Sequence, residues 1–380
     1  MNIVVTDPDY KHSLGIVRSL GKQGYKPYLL SNTKKSLCSF SKFSNDSIIL
    51  PKNFTLHELL EELHKKHIEL IIIVGTNSFK KIVPWKNDLK KNSIEIVTVD
   101  ESTLNVAFSK KETYLLAKKL DIPIPETYYP SSLDELYDVE DKIEYPAVIK
   151  GLYEAGGNIV DYAYNASDLV KKYVNLCKKY NIGEEDGLPM IQEYISGSGC
   201  AFFAVYDKGK CGLTFQHKRI REYPVSGGAS VCAESYKNEY VEMYGKKLLD
   251  YLNWHGVAMV EFKLNSKGKP ILMEINPKFW GSTDLALEAG VNFPKALIDI
   301  YLGKEVKYSN QYRFPFRYHW PLDGDILHGI RNPKAISSIL RDMFNPNVKS
   351  NIWIKKDPLP SMVQLFRFFA SLLKAARESI

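Results

Sequence analysis

Val257-Ala258-Met259-Val260-Glu261-Phe262-Lys263-Leu264, a break at residues 265–269, and Pro270-Ile271-Leu272-Met273-Glu274-Ile275-Asn276 form the most informative stretch of this sequence. Two apolar runs around a short polar break read as a β-hairpin, with Lys267-Gly268 as its two-residue turn. In that register Glu261 lies directly opposite Glu274. Strand alternation puts Ala258, Val260, Phe262 and Leu264 on a core face with Ile271, Met273 and Ile275. The other face carries Glu261, Glu274 and Asn276 beside Met259 and Leu272. Directly opposed Cβ atoms are about 5 Å apart, so two carboxylates there repel unless positive charge lies between them. Mg²⁺ suits the place, because it binds a few carboxylate oxygens and completes its shell with water and substrate phosphates. On the residues alone, a solvent-facing strand pair relieved by Lys263 or Lys278 is the alternative.

Upstream of the hairpin the rhythm changes twice. Residues 1–106 alternate short apolar runs (3–5, 28–30, 71–74, 94–99) with helical stretches at 14–23 and 56–66, which predicts a Rossmann-like parallel α/β unit. Thr6-Asp7-Pro8-Asp9 follows its first strand, where a dinucleotide site wants G-x-G-x-x-G, so no dinucleotide site is expected. Ser109 and Glu112 stand at capping-box spacing before a helix from Lys110 to about Leu120. From Pro146 onward strand-like runs and Gly-rich turns dominate, with one helix near 239–252, predicting an α+β body. After about Gly303 periodicity is poor until a closing helix. There, Met362, Leu365, Phe366, Phe369, Leu372 or Leu373, and Ala376 share one face and Arg367, Lys374 and Arg377 lie toward the other. That helix reads either as packed on the body or as a basic amphipathic helix touching a membrane surface or a partner.

The 380 residues are 44% hydrophobic and carry a net charge of +7 dispersed along the chain, which argues only weakly for nucleic acid. Five cysteines without a C-x-x-C pair indicate neither a disulfide framework nor a zinc ribbon. With no signal-peptide pattern and no apolar run near the roughly 20 residues of a membrane span, a cytoplasmic protein is expected.

Three further segments carry candidate chemistry. Lys110 and Lys111 sit in a first helical turn, where positive charge opposes the macrodipole and a nearby anion would relieve the conflict. Lys150 ends the strand 147–150, and Gly156-Gly157 follow in a turn whose backbone N–H groups could approach phosphate. Residues 216–230 read as a basic loop in which Arg219 could stabilise a transferring phosphoryl group and Ser226 to Gly228 could offer backbone donors. No Ser-His-Asp or Cys-His arrangement points to an enzyme nucleophile. Arg313, Arg317, His319 and Trp320 are candidates for an acceptor pocket.

The stretch Val260-Glu261-Phe262 with Leu272 to Ser282 resembles the metal-binding signature of the ATP-grasp superfamily, especially its carbamoyl-phosphate-synthetase-like and carboxylate-amine ligase members, and the likeness extends back to about Lys110. The resemblance implies an ATP-grasp unit over 107–303, with a lid at about 125–195, preceded by the α/β unit at 1–106 and followed by an extension at 304–380. It implies ATP with Mg²⁺, or Mn²⁺ in its place, held by Glu261, Glu274 and Asn276. It also implies phosphate contacts from Lys110, Lys150, Gly156 and Gly157, and an adenine-holding segment at Gln192, Glu193, Tyr194 and Ile195, with the Gln192 carbonyl and Ile195 amide reading the base. Arg219 and Lys278 take the catalytic places. The sequence departs from the family in having Lys278 where Arg is usual, Glu154 in the lid loop, and Ser198-Gly199-Cys200 where a ribose acid often follows. The implied reaction activates a small-molecule carboxylate as an acyl phosphate and joins it to an amine or other nucleophile. Carboxylation through carboxyphosphate and a catalytically silent Mg-ATP-binding protein are the alternatives, and a homodimer is compatible.

Overall fold

Short apolar strands alternating with helices build a four-stranded parallel sheet from β1 (Asn2–Thr6), β2 (Tyr28–Ser31), β3 (Ser47–Ile49) and β4 (Ile68–Ile72), in the order β3-β2-β1-β4. Helices Lys11–Lys22 and Leu56–Lys65 pack on it, the second opened by a Thr55–Glu58 capping box. Residues 94–99, expected as a further strand, touch β4 only through one bridge from Leu70 to Glu95. The chain then leaves the sheet, and the Val97 carbonyl lies where a Cβ on Gly256 would come within 2.5 Å of it. This is the computed structural model of the chain, described over residues 1–140, 142–152, 159–225, 227–352 and 354–378.

A second, antiparallel sheet has the order β5-β8-β6-β7, from β5 (Thr127–Tyr128), β6 (Ala147–Lys150), β7 (Val160–Ala163) and β8 (Met190–Glu193). Helix Ala166–Tyr180 covers it and closes a small separate core with Ile149, Ala163, Leu169, Tyr173 and Ile191.

The third sheet has seven strands: β9 (Gly199–Asp207), β10 (Lys210–Tyr223), β11 (Ala229–Ser235), β12 (Gly256–Leu264), β13 (Pro270–Asn276), β14 (Arg317–His319) and β15 (Lys349–Ser350). Their order is β13-β12-β9-β10-β11-β14-β15, antiparallel except for the last pair. β9 is buried on both faces: Cys200, Phe202, Ala204 and Tyr206 join one core, while Ala201, Phe203 and Val205 join the other. Residues 216–230 are therefore mostly two paired strands and their turn, where a loop was expected. Their basic and polar side chains hid a strand that is flanked on both sides and whose charges are paired inside the protein. Among the described residues no helix is long and apolar enough to cross a membrane.

The hairpin forms with Glu261 opposite Glu274, yet by a different route from the one expected. Its turn is centred on Ser266-Lys267: Gly268 N donates to the Asn265 carbonyl at 2.9 Å, and Gly268 takes the left-handed φ of +72°. That displaces the pairing by one residue, so Phe262 faces Leu272 and Lys263 faces Ile271. A β-bulge then restores the pairing of Glu261 with Glu274. The bulge exchanges two side chains: Leu272 is fully buried in the core with Phe262 and Ile275, and Met273 joins Glu274 in lining a cavity. Leu272→Ala should therefore cost about 3 kcal/mol in urea unfolding and Met273→Ala no more than about 1 kcal/mol, the reverse of what unbroken alternation would give.

Candidate active site

One row of residues crosses the central sheet: Glu274, Glu261, Ala201 and His217 are successive partners on β13, β12, β9 and β10. Ala201 and Gly199 leave open space over β9, and Arg219 lies across it; a Cβ on Gly199 would stand 2.9 Å from Arg219 Cδ. Arg219 Nη2 donates to Glu261 Oε2 at 2.7 Å, and Nη1 donates to the Gly228 carbonyl at 3.1 Å and toward Glu222 at 3.4 Å. Burial pushes the Glu261 carboxyl above the usual range against the pull of Arg219, with Glu274 adding to the rise. The Glu261 charge in turn raises Arg219 above its ordinary value. Asn276 Nδ2 donates to Glu274 Oε1 at 2.7 Å.

The three residues expected to hold metal thus stand together. Among the described residues no group of three or more His, Cys, Asp and Glu side chains is placed to hold an ion. Two carboxylates and an amide form an all-oxygen donor set too small to enclose a cation, which fits Mg²⁺ or Mn²⁺ that keeps waters and borrows phosphate oxygens.

These residues line a cavity of about 370 Å³ between the four-stranded antiparallel sheet and the hairpin, whose lining includes Thr76 from the N-terminal α/β region. Among the described residues five cations border it: Lys110, Lys150, Arg219, Lys263 and Lys278. Lys150 Nζ donates to Gln192 Oε1 at 2.7 Å, Gln192 Nε2 donates to the Tyr114 hydroxyl at 3.1 Å, and Tyr114 donates to the Met273 carbonyl at 2.9 Å. This series of bonds ties β6 and β8 to β13 through the helix Lys110–Lys119. Burial pulls the Lys150 ammonium down to about 8, although Glu274 opposes the shift. Burial likewise lowers Lys278, against the pull of Glu274 and Glu261.

The expected adenine segment borders the same cavity. Gln192 lies on an inner strand with Thr127 on one side and Val148 on the other, and its side chain rather than a free carbonyl faces the lysine. Glu193 N donates to the Glu126 carbonyl at 2.9 Å, and the Tyr194 ring meets Tyr162 edge-on at 5.9 Å. Lys263, considered from sequence as a countercharge for the glutamates, instead donates to the Ile195 carbonyl at 2.9 Å. Gly197 then passes the hairpin so closely that a Cβ there would overlap the Leu264 carbonyl. Glu154, Gly156, Gly157 and Ser226 lie outside the described residues.

His217 Nε2 is 2.6 Å from Ser282 Oγ, and burial together with Arg219 pulls its imidazole down to about 3, so it is neutral. Arg221 turns away from the cavity and is buried against Asp325 and Asp342 at 2.6 and 2.7 Å. Arg313, Arg317, His319 and Trp320 do not border the cavity: Arg317 pairs with Glu234 and Asp342, His319 bonds Asp325, and Trp320 donates to Asp284. Sequence reasoning missed Tyr114, Gly199 and Thr76. Tyr114 is four residues after Lys110 and so shares its helix face, a signal that was available; Gly199 and Thr76 matter only through contacts with distant elements.

The chain is similar to ATP-grasp proteins in part of its sequence and in its fold: a family model matches one segment, carbamoyl phosphate synthases resemble it in sequence, and biotin carboxylase domains share its fold. The matching family is described as ATP-grasp in the biosynthetic pathway with Ter operon, and it covers residues 190–322. The carbamoyl phosphate synthase large chain of Methanosarcina mazei is 22% identical over 306 residues, which is 77% of this chain and 28% of that one. This chain therefore spans little more than a quarter of that relative's length. The biotin carboxylase domain of Hydrogenobacter thermophilus 2-oxoglutarate carboxylase, solved with MgADP and bicarbonate, superposes with a TM-score of 0.70 at 16% identity, covering 83% of this chain and 73% of that one. N5-carboxyaminoimidazole synthetase from Staphylococcus aureus with ADP gives 0.67 at 13% identity, covering 87% and 86%.

A lysine whose folded pKa is depressed binds its proton less readily in the folded chain than in the unfolded one, so its contribution to stability rises with pH between about 8 and 10. Wild type should accordingly gain stability over Lys150→Met across that window, by at most about 1.4 kcal/mol per pH unit in urea titrations. Equal slopes for the two proteins would show that Lys150 is not desolvated as described.

Proposed function

We propose that the chain is an ADP-forming ligase that activates a small-molecule carboxylate with Mg-ATP and joins it to an amine. The observation that carries this reading is the opposition of Glu261 and Glu274 beneath Arg219, inside a cavity bordered by five cations. Among the described residues four carboxylates border the same cavity (Glu193, Glu222, Glu261 and Glu274), so it has both the cations that a polyphosphate needs and the oxygens that its metal needs.

Glu261, Glu274 and Asn276 would hold Mg²⁺, with Mn²⁺ as substitute; the ion would neutralise charge on the ATP phosphates. Lys110 and Lys150 approach from the other wall and would hold phosphate oxygens. Gly156 and Gly157 belong to the same phosphate-holding proposal. Glu193, Tyr194 and Ile195, at the exit of β8, would hold the adenine through backbone groups, with Gln192 serving as the anchor of Lys150.

The substrate carboxylate oxygen bonds to the γ-phosphorus as the bond to the ADP oxygen breaks. The amine then attacks the acyl carbon, phosphate leaves with the bonding pair, and the ammonium proton is lost to solvent or product phosphate. Arg219 would neutralise the transferring phosphoryl group, for which it must share its present bond to Glu261. Lys278 would add a point charge without a bidentate fork, giving looser orientation than an arginine.

We assign the ATP-grasp unit to residues 107–303, with its lid at about 125–195, the preceding α/β unit to 1–106 and the extension to 304–380. All five cysteines are unpaired thiols, which supports a reducing, cytoplasmic setting.

Glu274→Gln should abolish ADP release, a fall of at least about 10³-fold, while circular dichroism and the thermal midpoint stay near wild type. Wild-type turnover in that variant would remove the metal assignment. In the wild-type protein, ADP release should require both a carboxylate and an amine. Release that needs bicarbonate alone would favour carboxylation, and Mg-ATP binding without turnover across broad substrate pools would leave a binding protein.

A further inference from the structure

The helix Leu359–Glu378 is fastened to the body by its polar side. Ser361 and Gln364 are buried, and Gln364 Nε2 donates to Asp323 at 3.2 Å. Arg367 is turned back onto the N-terminal region, donating to Asp9 at 2.7 Å and to the Lys35 carbonyl at 2.8 Å. Of the large apolar side chains on the inward face, Phe368 is buried. The outward face carries Leu359, Met362, Phe366, Phe369 and Leu373, each between 53% and 76% exposed. The arrangement inverts that of an ordinary surface helix, whose apolar stripe faces the core.

The five residues recur at intervals of three, four, three and four, the a/d spacing of a coiled-coil seam. A lipid surface asks instead for a broad apolar face bordered by Lys or Arg. Arg367, the one charged residue within the span of the stripe, is bonded to Asp9, while Lys374 and Arg377 follow beyond Leu373. The stripe is thus uncharged on a chain of net charge +7. An uncharged strip is where two copies of such a chain can meet without opposing like charges. At roughly 200 Å² for a large side chain in the open, the exposed fractions amount to about 600 Å² per chain. Two such strips face to face bury about 1,200 Å², the lower bound of a specific interface.

We propose that this stripe is a dimerisation seam, and that the helix Leu359–Glu378 pairs with the same helix of a second copy about a twofold axis. The proposal is independent of the catalytic reading, since none of the five residues borders the cavity.

Sedimentation of the full chain at micromolar concentration tests it, with vesicles of phosphatidylcholine and phosphatidylglycerol as a second probe. The wild type should sediment as a dimer that persists in high salt, and the double variant Phe366→Glu, Phe369→Glu should show half that mass with an unchanged circular dichroism spectrum. Phe366→Ala, which removes only an exposed ring, should weaken the dimer at least about tenfold and covers the case in which the charged variant misfolds. A monomeric wild type, a dimer indifferent to both changes, or a wild type that binds the vesicles through Phe366 and Phe369 would overturn the proposal.

Discussion

Two carboxylates held opposite one another on paired strands are the constraint around which this molecule is arranged. Glu261 and Glu274 would repel at that separation, and the chain answers with Arg219, brought across β9 from β10 over two positions that carry almost no side chain, Gly199 and Ala201. The bulge in β13 belongs to the same arrangement. It restores the opposition after the turn at Ser266-Lys267 has displaced it, and it turns Met273 toward the cavity while Leu272 seals the core. A charge cluster of this kind is stable as it stands and still incomplete, because Arg219 neutralises one carboxylate and Asn276 only hydrogen-bonds the other.

The cavity depends on elements far apart in the chain. The sheet of β5 to β8 is joined to the hairpin through Lys150, Gln192, Tyr114 and the Met273 carbonyl, a relay in which every member is bonded. Buried polar chains of this sort are stable only when fully satisfied, and they then fix relative positions more narrowly than apolar packing does. The parallel sheet supplies less to the cavity, chiefly Thr76 at the start of the helix Thr76–Ile82, whose N-terminus is organised by Asp7: Gly75 N donates to Asp7 at 2.7 Å and Ser78 Oγ at 2.9 Å.

The C-terminal third obeys a different logic. Arg221, Arg317, His319, Asp325 and Asp342 form an internal ionic cluster that joins β10 and β14 to the segment after residue 320. Of these, Arg317 and His319 were candidates for an acceptor pocket in the sequence. Burial gives them a structural task instead. The closing helix shows the converse, since its polar residues are drawn inward to partners on the body and its apolar residues are left outside.

The sequence by itself determined that the strands carrying Glu261 and Glu274 pair as a hairpin, that a capped helix begins at Lys110, and the parallel α/β rhythm of the first hundred residues, because these are short-range periodicities of two and about 3.6. It also marked Arg219 and Lys278 as cations worth following, and both border the cavity. Tertiary structure alone decided which cation meets which acid. It took Lys263 to the Ile195 carbonyl and Arg219 to Glu261, and it turned residues 216–223 from an apparent loop into an inner strand. It decided as well that Leu272 and not Met273 fills the core. Local pattern specifies which residues share a face; a bulge, a bare glycine under an arginine, or a polar anchor that inverts a helix is selected by the packing of segments a hundred or more residues apart.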